Sequence, residues 1–179
     1  MVVMPIDELK ALLLVVLERH ADANKWIDAT FEKIRRLPNT KVGDVGQDYI
    51  EDLCTRFGFT AEFPDDGKGK RAKQSPWDIQ IEGVKFELKT ATEDVSGCFQ
   101  FNHFRYAREY DALLCLGIAP DTIYFNVWSK AAATTGKAGK LVSMEKSGSA
   151  SYKLTKRPAD LHAIDEFESV MTEFLLNFA

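Results

Sequence analysis

The apolar residues along this chain change period several times, and each change predicts an element. Ile6, Leu9, Leu12, Leu13, Val16 and Leu17 follow the three-and-four spacing of a helix over 6–19, and a second helix is expected over about 22–36. Pro38 ends this pair, and Asn39 or Thr40 opens a break. Val45, Tyr49, Leu53 and Phe57 predict a third helix over 44–57, stopped by Gly58. Residues 59–63 read as a short strand, and the polar, glycine-containing stretch 64–74 reads as a loop. Residues 99–110 are expected to form a helix, and 112–118 a buried strand with Asp111 at its mouth. A turn at 119–121 then leads into a strand at 122–128. Residues 131–150, rich in Ala, Thr, Gly, Ser and Lys, read as loop, and 160–178 as a closing amphipathic helix.

The alternation between 75 and 92 has period two and predicts a β-hairpin. Glu82-Gly83 is its turn, because glycine tolerates the positive φ that tight hairpins demand. Folding there pairs Ile81 with Val84, Ile79 with Phe86 and Trp77 with Leu88, which makes one apolar face. The other face pairs Gln80 with Lys85, Asp78 with Glu87 and Pro76 with Lys89. Directly opposed carboxylates, with Cβ atoms roughly 5 Å apart, repel unless a cation lies between them. Removing Asp78 is therefore expected to relieve the metal-free protein slightly. A hard divalent ion answers the repulsion: oxygen ligands at about 2.0–2.1 Å suit Mg²⁺, and a lysine alongside can orient a water. A solvated hairpin face on an ordinary α/β domain would leave the opposition unexplained.

Asp78, the run Glu87-Leu88-Lys89 and an upstream acidic helix resemble the PD-(D/E)XK nuclease superfamily, most closely its type II restriction endonucleases. The resemblance covers about residues 40–130. It departs from the family pattern in one respect, since Trp77 separates Pro76 from Asp78. It implies an α/β fold of α+β type with a mixed sheet: a restriction-endonuclease-like core, α-β-β-β-α-β, with an N-terminal helical addition. Residues 1–40 would be that addition. Residues 41–179 would be the core with a basic C-terminal arm and the final helix, in one domain overall. The family's roles make Asp78 and Glu87 ligands of Mg²⁺, which Mn²⁺ can replace, with the Leu88 backbone carbonyl as a further ligand. Lys89 would position the attacking water. Glu51 is the candidate for the family's additional acid on the helix, with Asp48 and Asp52 as alternatives.

The resemblance further implies double-stranded DNA as substrate, 5′-phosphate ends, a homodimer matched to a palindrome, and a cognate DNA methyltransferase in the same system. The first two helices are the candidate dimer interface, or else a layer covering the core. A mismatch-nicking or junction-resolving repair nuclease shares the same core. A catalytically silent DNA-binding module is the alternative of another class, and the intact Asp78-Glu87-Lys89 set argues against it.

Charge changes the picture only when it is located. The net charge is −4, which looks wrong for a DNA-binding protein. Yet 67–73 holds Lys68, Lys70, Arg71 and Lys73 with no acid. Residues 128–157 carry Lys130, Lys137, Lys140, Lys146, Lys153, Lys156 and Arg157 against Glu145 alone. A local basic face governs encounter with phosphates even on an acidic chain. Loop 64–74 and segment 130–157 are expected to embrace the duplex, with Ser151, Tyr152 and Lys153 at a tip that reaches phosphates or base edges. Thr90, Gln100, Asn102, His103 and Arg105 are further candidate DNA contacts. Cys54, Cys98 and Cys115 lack metal-site spacing, and their odd number fits a reducing cytoplasm rather than a disulfide framework. The apolar run 11–17 follows Asp7 and Glu8 and is too short to span a bilayer, so neither a signal peptide nor a membrane segment is expected.

Overall fold

The computed structural model describes residues 6–19, 25–72, 75–144 and 151–178, the side chains of Leu9, Glu18 and Arg19 excepted. Lys73, Glu145 and Lys146, with the end of the 64–74 loop and the 145–150 stretch, lie outside the described residues. The helices are α1 (Ile6–Arg19), α2 (Asn39–Phe57), α3 (Lys130–Thr134) and α4 (Phe167–Phe178). The strands are β1 (Ala61–Glu62), β2 (Ile79–Ile81), β3 (Val84–Thr92), β4 (Phe99–Phe104), β5 (Ala112–Ile118), β6 (Ile123–Ser129), β7 (Leu141–Ser143), β8 (Tyr152–Lys156) and β9 (His162–Ala163).

The architecture is mixed α+β. Six strands form one mixed sheet in the order β1-β2-β3-β5-β6-β9, in which only β3 and β5 run parallel. A second sheet, β4-β8-β7, is antiparallel. The faces of the main sheet are filled by two cores. Phe86, Leu88, Leu114, Leu116, Phe125 and Val127 pack with Ile50 and Cys54 of α2 and Phe167 and Met171 of α4. Leu113, Cys115 and Ala91 pack with Phe99, Phe101 and Phe104 of β4 and Leu154 of β8. Helices α2 and α4, the main sheet and the small sheet thus form three layers.

Several sequence expectations need correction. Residues 99–104 are strand β4, so the β3-to-β5 connection passes through the second sheet instead of a helix. Over the described part of 22–36 the one helical element is a 3-10 turn at Glu32–Arg36, and Asn39 starts α2 where a break was expected. The 131–150 stretch contains part of α3 and all of β7, and α4 begins only at Phe167. Of the two alternatives for α1, dimer interface or core-covering layer, the described side chains do not favour the second. Ile6, Leu12, Leu13, Leu14, Val15 and Leu17 are all exposed, and no described side chain of α1 belongs to either core.

The hairpin forms as its alternation dictates, with Ile79 opposite Phe86 and Ile81 opposite Val84. Glu82 and Gly83 both have positive φ, 47° and 85°, which matches a two-residue turn of the mirror-image type that follows strand twist. Glu82 tolerates this because both its backbone and its carboxylate are tied to Thr60. Trp77 departs from the expected apolar face and packs into the opposite core. The cause is local: the Asp78 N–H donates to the Phe86 carbonyl at 2.8 Å, so Asp78 is out of register with Glu87.

Helix α2 is seated on β3 by an absence of side chain. A Cβ on Gly46 would lie 1.8 Å from Thr90 Oγ1 and 2.9 Å from Thr90 Cβ. Gly46→Ala should therefore push α2 off the sheet and cost about 1–3 kcal/mol. Adding Thr90→Ala should restore part of the loss, since the hydroxyl is the nearest obstacle. Urea unfolding of the two variants checks this, and an unchanged Gly46→Ala midpoint would contradict it.

Candidate active site

Strand β2 ends opposite Phe86, so β3 from Glu87 to Thr92 has β5 on one side and no ladder partner on the other among the described residues. A cleft of about 640 Å³ opens along that free edge. Its floor is Asp78 and Leu88 to Thr92; one wall is α2, with Thr40, Asp44 and Gln47; the other is β4 and the following loop, with Asn102, His103 and Arg108.

The chemistry sits at one end. Glu87 is completely buried, while Asp78 and Lys89 keep 17% and 18% of their side chains exposed, enough to meet a ligand. Lys89 Nζ lies 2.6 Å from Glu87 Oε1 and 3.7 Å from Asp78 Oδ2. Arg108 Nη1 lies 2.9 Å from Glu87 Oε2 and 3.5 Å from Asp78 Oδ1. Two carboxylates and two cations thus form a neutral square in which each cation touches both acids. The Leu88 N–H donates to Asp78 Oδ2 at 2.9 Å. The expected bare repulsion between Asp78 and Glu87 is absent, so removing Asp78 should bring no relief.

Burial pushes the Asp78 carboxyl above the usual range. The Lys89 charge opposes this, Glu87 adds to it, and the Leu88 N–H and Arg108 pull it back. Arg108 loses hydration, but the hydrogen bond it donates to Glu87 and the two acidic charges hold its proton more firmly than usual. Glu87 Oε1 makes no hydrogen bond despite its burial, because the Lys89 ammonium is close but poorly aligned. Buried Thr90 Oγ1 and Asn102 Oδ1 likewise lack partners.

Fit to a divalent cation depends on the atoms the site offers as ligands. The available donors are all oxygens: Asp78, Glu87 and the Leu88 carbonyl. Among the described residues there is no cluster of three His, Cys, Asp or Glu side chains. Two carboxylates, one of them with an unsatisfied buried oxygen at Glu87 Oε1, fit Mg²⁺, which keeps several waters and needs few protein ligands.

Of the residues singled out by sequence, Asp78, Leu88, Lys89, Thr90, Gln100, Asn102 and His103 line this cleft, with Glu87 directly beneath. The other described ones lie elsewhere. Glu51 is one turn beyond Gln47 and is held with Asp48 by Arg71, whose guanidinium also covers the Phe63 ring. Lys68 and Lys70 sit on an exposed turn whose backbone is organised by Asp65 and Asp66. Arg105 is exposed outside the cleft. Ser151 is buried, with Oγ 3.2 Å from His103 Nδ1; Tyr152 and Lys153 begin β8, and Tyr152 packs on Tyr106 at 4.4 Å. These three do not form a reaching tip.

Sequence reasoning missed Arg108, Gln47 and Arg35. The N-terminal segment delivers Arg35 to the cleft mouth, where it donates to Thr92 Oγ1 at 2.9 Å and lies over the Trp26 ring. That segment is anchored by Phe31 N–H to the Pro120 carbonyl and by Thr30 N–H to Asp121.

At the cleft's far end Asp94 organises the β3–β4 turn, accepting from Ser96, the Cys98 N–H and Gln100. The Ser96 hydroxyl first, and these other donors, hold its carboxyl down at about 2 against an ordinary 3.8. With the folded value below the unfolded one, its stabilisation is present above 3.8 and lost as pH falls toward 2. Asp94→Ala should lower stability at neutral pH, and the gap to wild type in urea unfolding should narrow as pH falls from 3.8 toward 2. A pH-independent gap would contradict the assignment.

No protein-family model matches the chain, and no curated protein matches it. Among solved structures it is similar to a bacterial homing endonuclease, I-Ssp6803I. The TM-score is 0.39 with 16% identity, over 65% of this chain and 75% of that one. So distant a likeness leaves the chemistry of this chain to be argued from its own residues.

Proposed function

We propose that this protein is a Mg²⁺-dependent double-stranded DNA endonuclease of the PD-(D/E)XK type, nearest to the type II restriction enzymes. One observation carries the reading: Asp78, Glu87 and Lys89 converge at the free edge of β3, at the end of a cleft lined by amides, hydroxyls and Arg35. Held by Asp78, Glu87 and the Leu88 carbonyl, Mg²⁺ would neutralise charge at the scissile phosphate and make water a better nucleophile. Lys89, anchored in the central strand, points its ammonium into the same space and orients a water for in-line attack, leaving 5′-phosphate ends. Gln47, Thr90 and Asn102 offer donors and acceptors to the bound strand, and Arg35 offers a cation.

The exposed apolar α1 supports a two-fold homodimer, the simplest way for one site per chain to cut both strands of a palindrome. A cognate DNA methyltransferase would then protect the host's own sites. Repair-type nicking or junction cleavage is the second reading, favoured if the protein remains monomeric. Incubation with plasmid, linear duplex and a synthetic junction, with and without Mg²⁺, tests both. Double-strand breaks in duplex support the first reading, and nicks or junction cuts support the second. Binding without cleavage of any of them contradicts both.

DNA approach has its own expected outcome. Lys68 and Lys70 are exposed and make no side-chain ion pair among the described residues, so each can neutralise a phosphate. Changing both to Gln should weaken binding to every sequence and reduce its salt slope by about two. An unchanged slope would place the DNA along another face.

A further inference from the structure

The carboxylate that the nuclease reading needs most is the one a ligand cannot reach. Glu87 is fully buried and does not line the cleft; Asp78, Lys89 and Arg108 do. Each Glu87 oxygen is faced by a cation, Lys89 at Oε1 and Arg108 at Oε2, and each cation also leans on Asp78. The square is already neutral, so an added divalent ion would meet two resident positive charges. One of the two must leave before Glu87 can serve as a ligand.

The residue that can leave is Arg108. Lys89 belongs to β3, whose backbone is paired to β5 along its length, and its ammonium is the water-positioning group of the reading on which this inference rests. Arg108 belongs to the non-helical loop between β4 and β5, and its backbone is held independently, with Lys130 Nζ donating to its carbonyl at 2.5 Å. Its side chain can therefore swing without dragging the chain. Among the described residues, the Glu87 carboxylate is its one side-chain hydrogen-bond partner. The rest of the guanidinium fork remains available to a phosphate.

We infer that Arg108 is a resident counter-ion of the metal site: it bridges Asp78 and Glu87 in the metal-free protein and is displaced into the cleft when a divalent cation binds. The inference rests on the nuclease reading and assigns Arg108 a positioning role that neither composition nor motif indicates. It explains how two acids are kept together and charged before metal arrives, in a place where burial works against ionisation.

Two measurements test it without relying on cleavage. Mn²⁺ binding, followed by electron paramagnetic resonance, should be on the order of tenfold tighter in Arg108→Gln than in wild type, because a competing charge is gone. The Gln amide can still donate to Glu87, which protects the fold, and circular dichroism verifies it. In wild type, modification of Arg108 by phenylglyoxal, read by peptide mass spectrometry, should rise several-fold on adding Ca²⁺. With Asp78→Asn the same addition should change nothing. Wild type that binds Mn²⁺, combined with equal or weaker binding by Arg108→Gln or with unchanged reactivity of Arg108, overturns this inference alone. Failure of wild type to bind Mn²⁺ at all overturns it together with the nuclease reading.

Discussion

Glu87→Ala is expected to cost the protein about 3–5 kcal/mol of unfolding free energy, the scale for removing one partner of a buried ion pair. The substitution leaves Lys89 and Arg108 facing each other across a buried void, with only the partly exposed Asp78 to balance them. The intact square contributes far less than this figure suggests, because desolvation of four charges offsets most of their attraction. What the figure measures is the stranded cation. Adding Arg108→Ala to Glu87→Ala should therefore return part of the loss, a coupling that two independent sites would not show. Urea unfolding of the single and double variants checks it. Strict additivity would mean that Arg108 and Glu87 are not a pair in solution.

The second large effect is on chemistry. Lys89→Met, similar in length and without charge, should reduce DNA cleavage by about a hundredfold to ten-thousandfold, the range for losing a positioned proton-handling group. Its side chain reaches the cleft from β3, with Nζ between Glu87 and Asp78, so no neighbour stands in for it. Arg108 touches the same two acids from the other side and lacks a removable proton at neutral pH. Binding to DNA should change much less than rate. A gel-shift assay beside a cleavage time course separates the two, and an unimpaired rate would remove Lys89 from the mechanism.

The hairpin was legible because a period of two and a glycine turn leave few registers open, and one slip would bury its charged face. Within it, Ile79, Ile81 and Phe86 occupy the core as their alternation requires. The reading failed where an irregularity broke the period. In β4, Phe99 and Phe101 alternate as in a strand, but the next phenylalanine is Phe104, a spacing that suits a helix. The structure shows why: the ladder to β8 shifts between Phe101 and Phe104, and His103 has a φ of 66°. That bulge returns Phe104 to the core face. Trp77 was misplaced for a similar reason, since Asp78 leaves the register one residue before β2 begins.

The site was partly legible for a different reason. Asp78, Glu87 and Lys89 lie within 12 residues on one hairpin, so local pattern brings them together. Arg108 meets Glu87 across 21 residues and Arg35 meets Thr92 across 57, distances over which periodicity says nothing. Electroneutrality offered a hint: two carboxylates sharing a buried site demand two positive charges, and Lys89 supplied one. Glu51 was the candidate on α2 because it lies off the apolar stripe of Tyr49, Leu53 and Phe57. Helix phase alone could not show that the cleft ends before Glu51 and that Arg71 holds it there.

The account turns on Asp78, the acid exposed enough to meet both metal and DNA. The most direct test is supercoiled plasmid incubated with Mg²⁺ and either wild type or Asp78→Asn, a change that keeps the side chain's size and an acceptor for the Leu88 N–H. Wild type should linearise or nick the plasmid and leave 5′-phosphate ends, while Asp78→Asn should bind the same DNA and leave it intact. Cleavage by Asp78→Asn at the wild-type rate would contradict the assignment of this cleft as the active site.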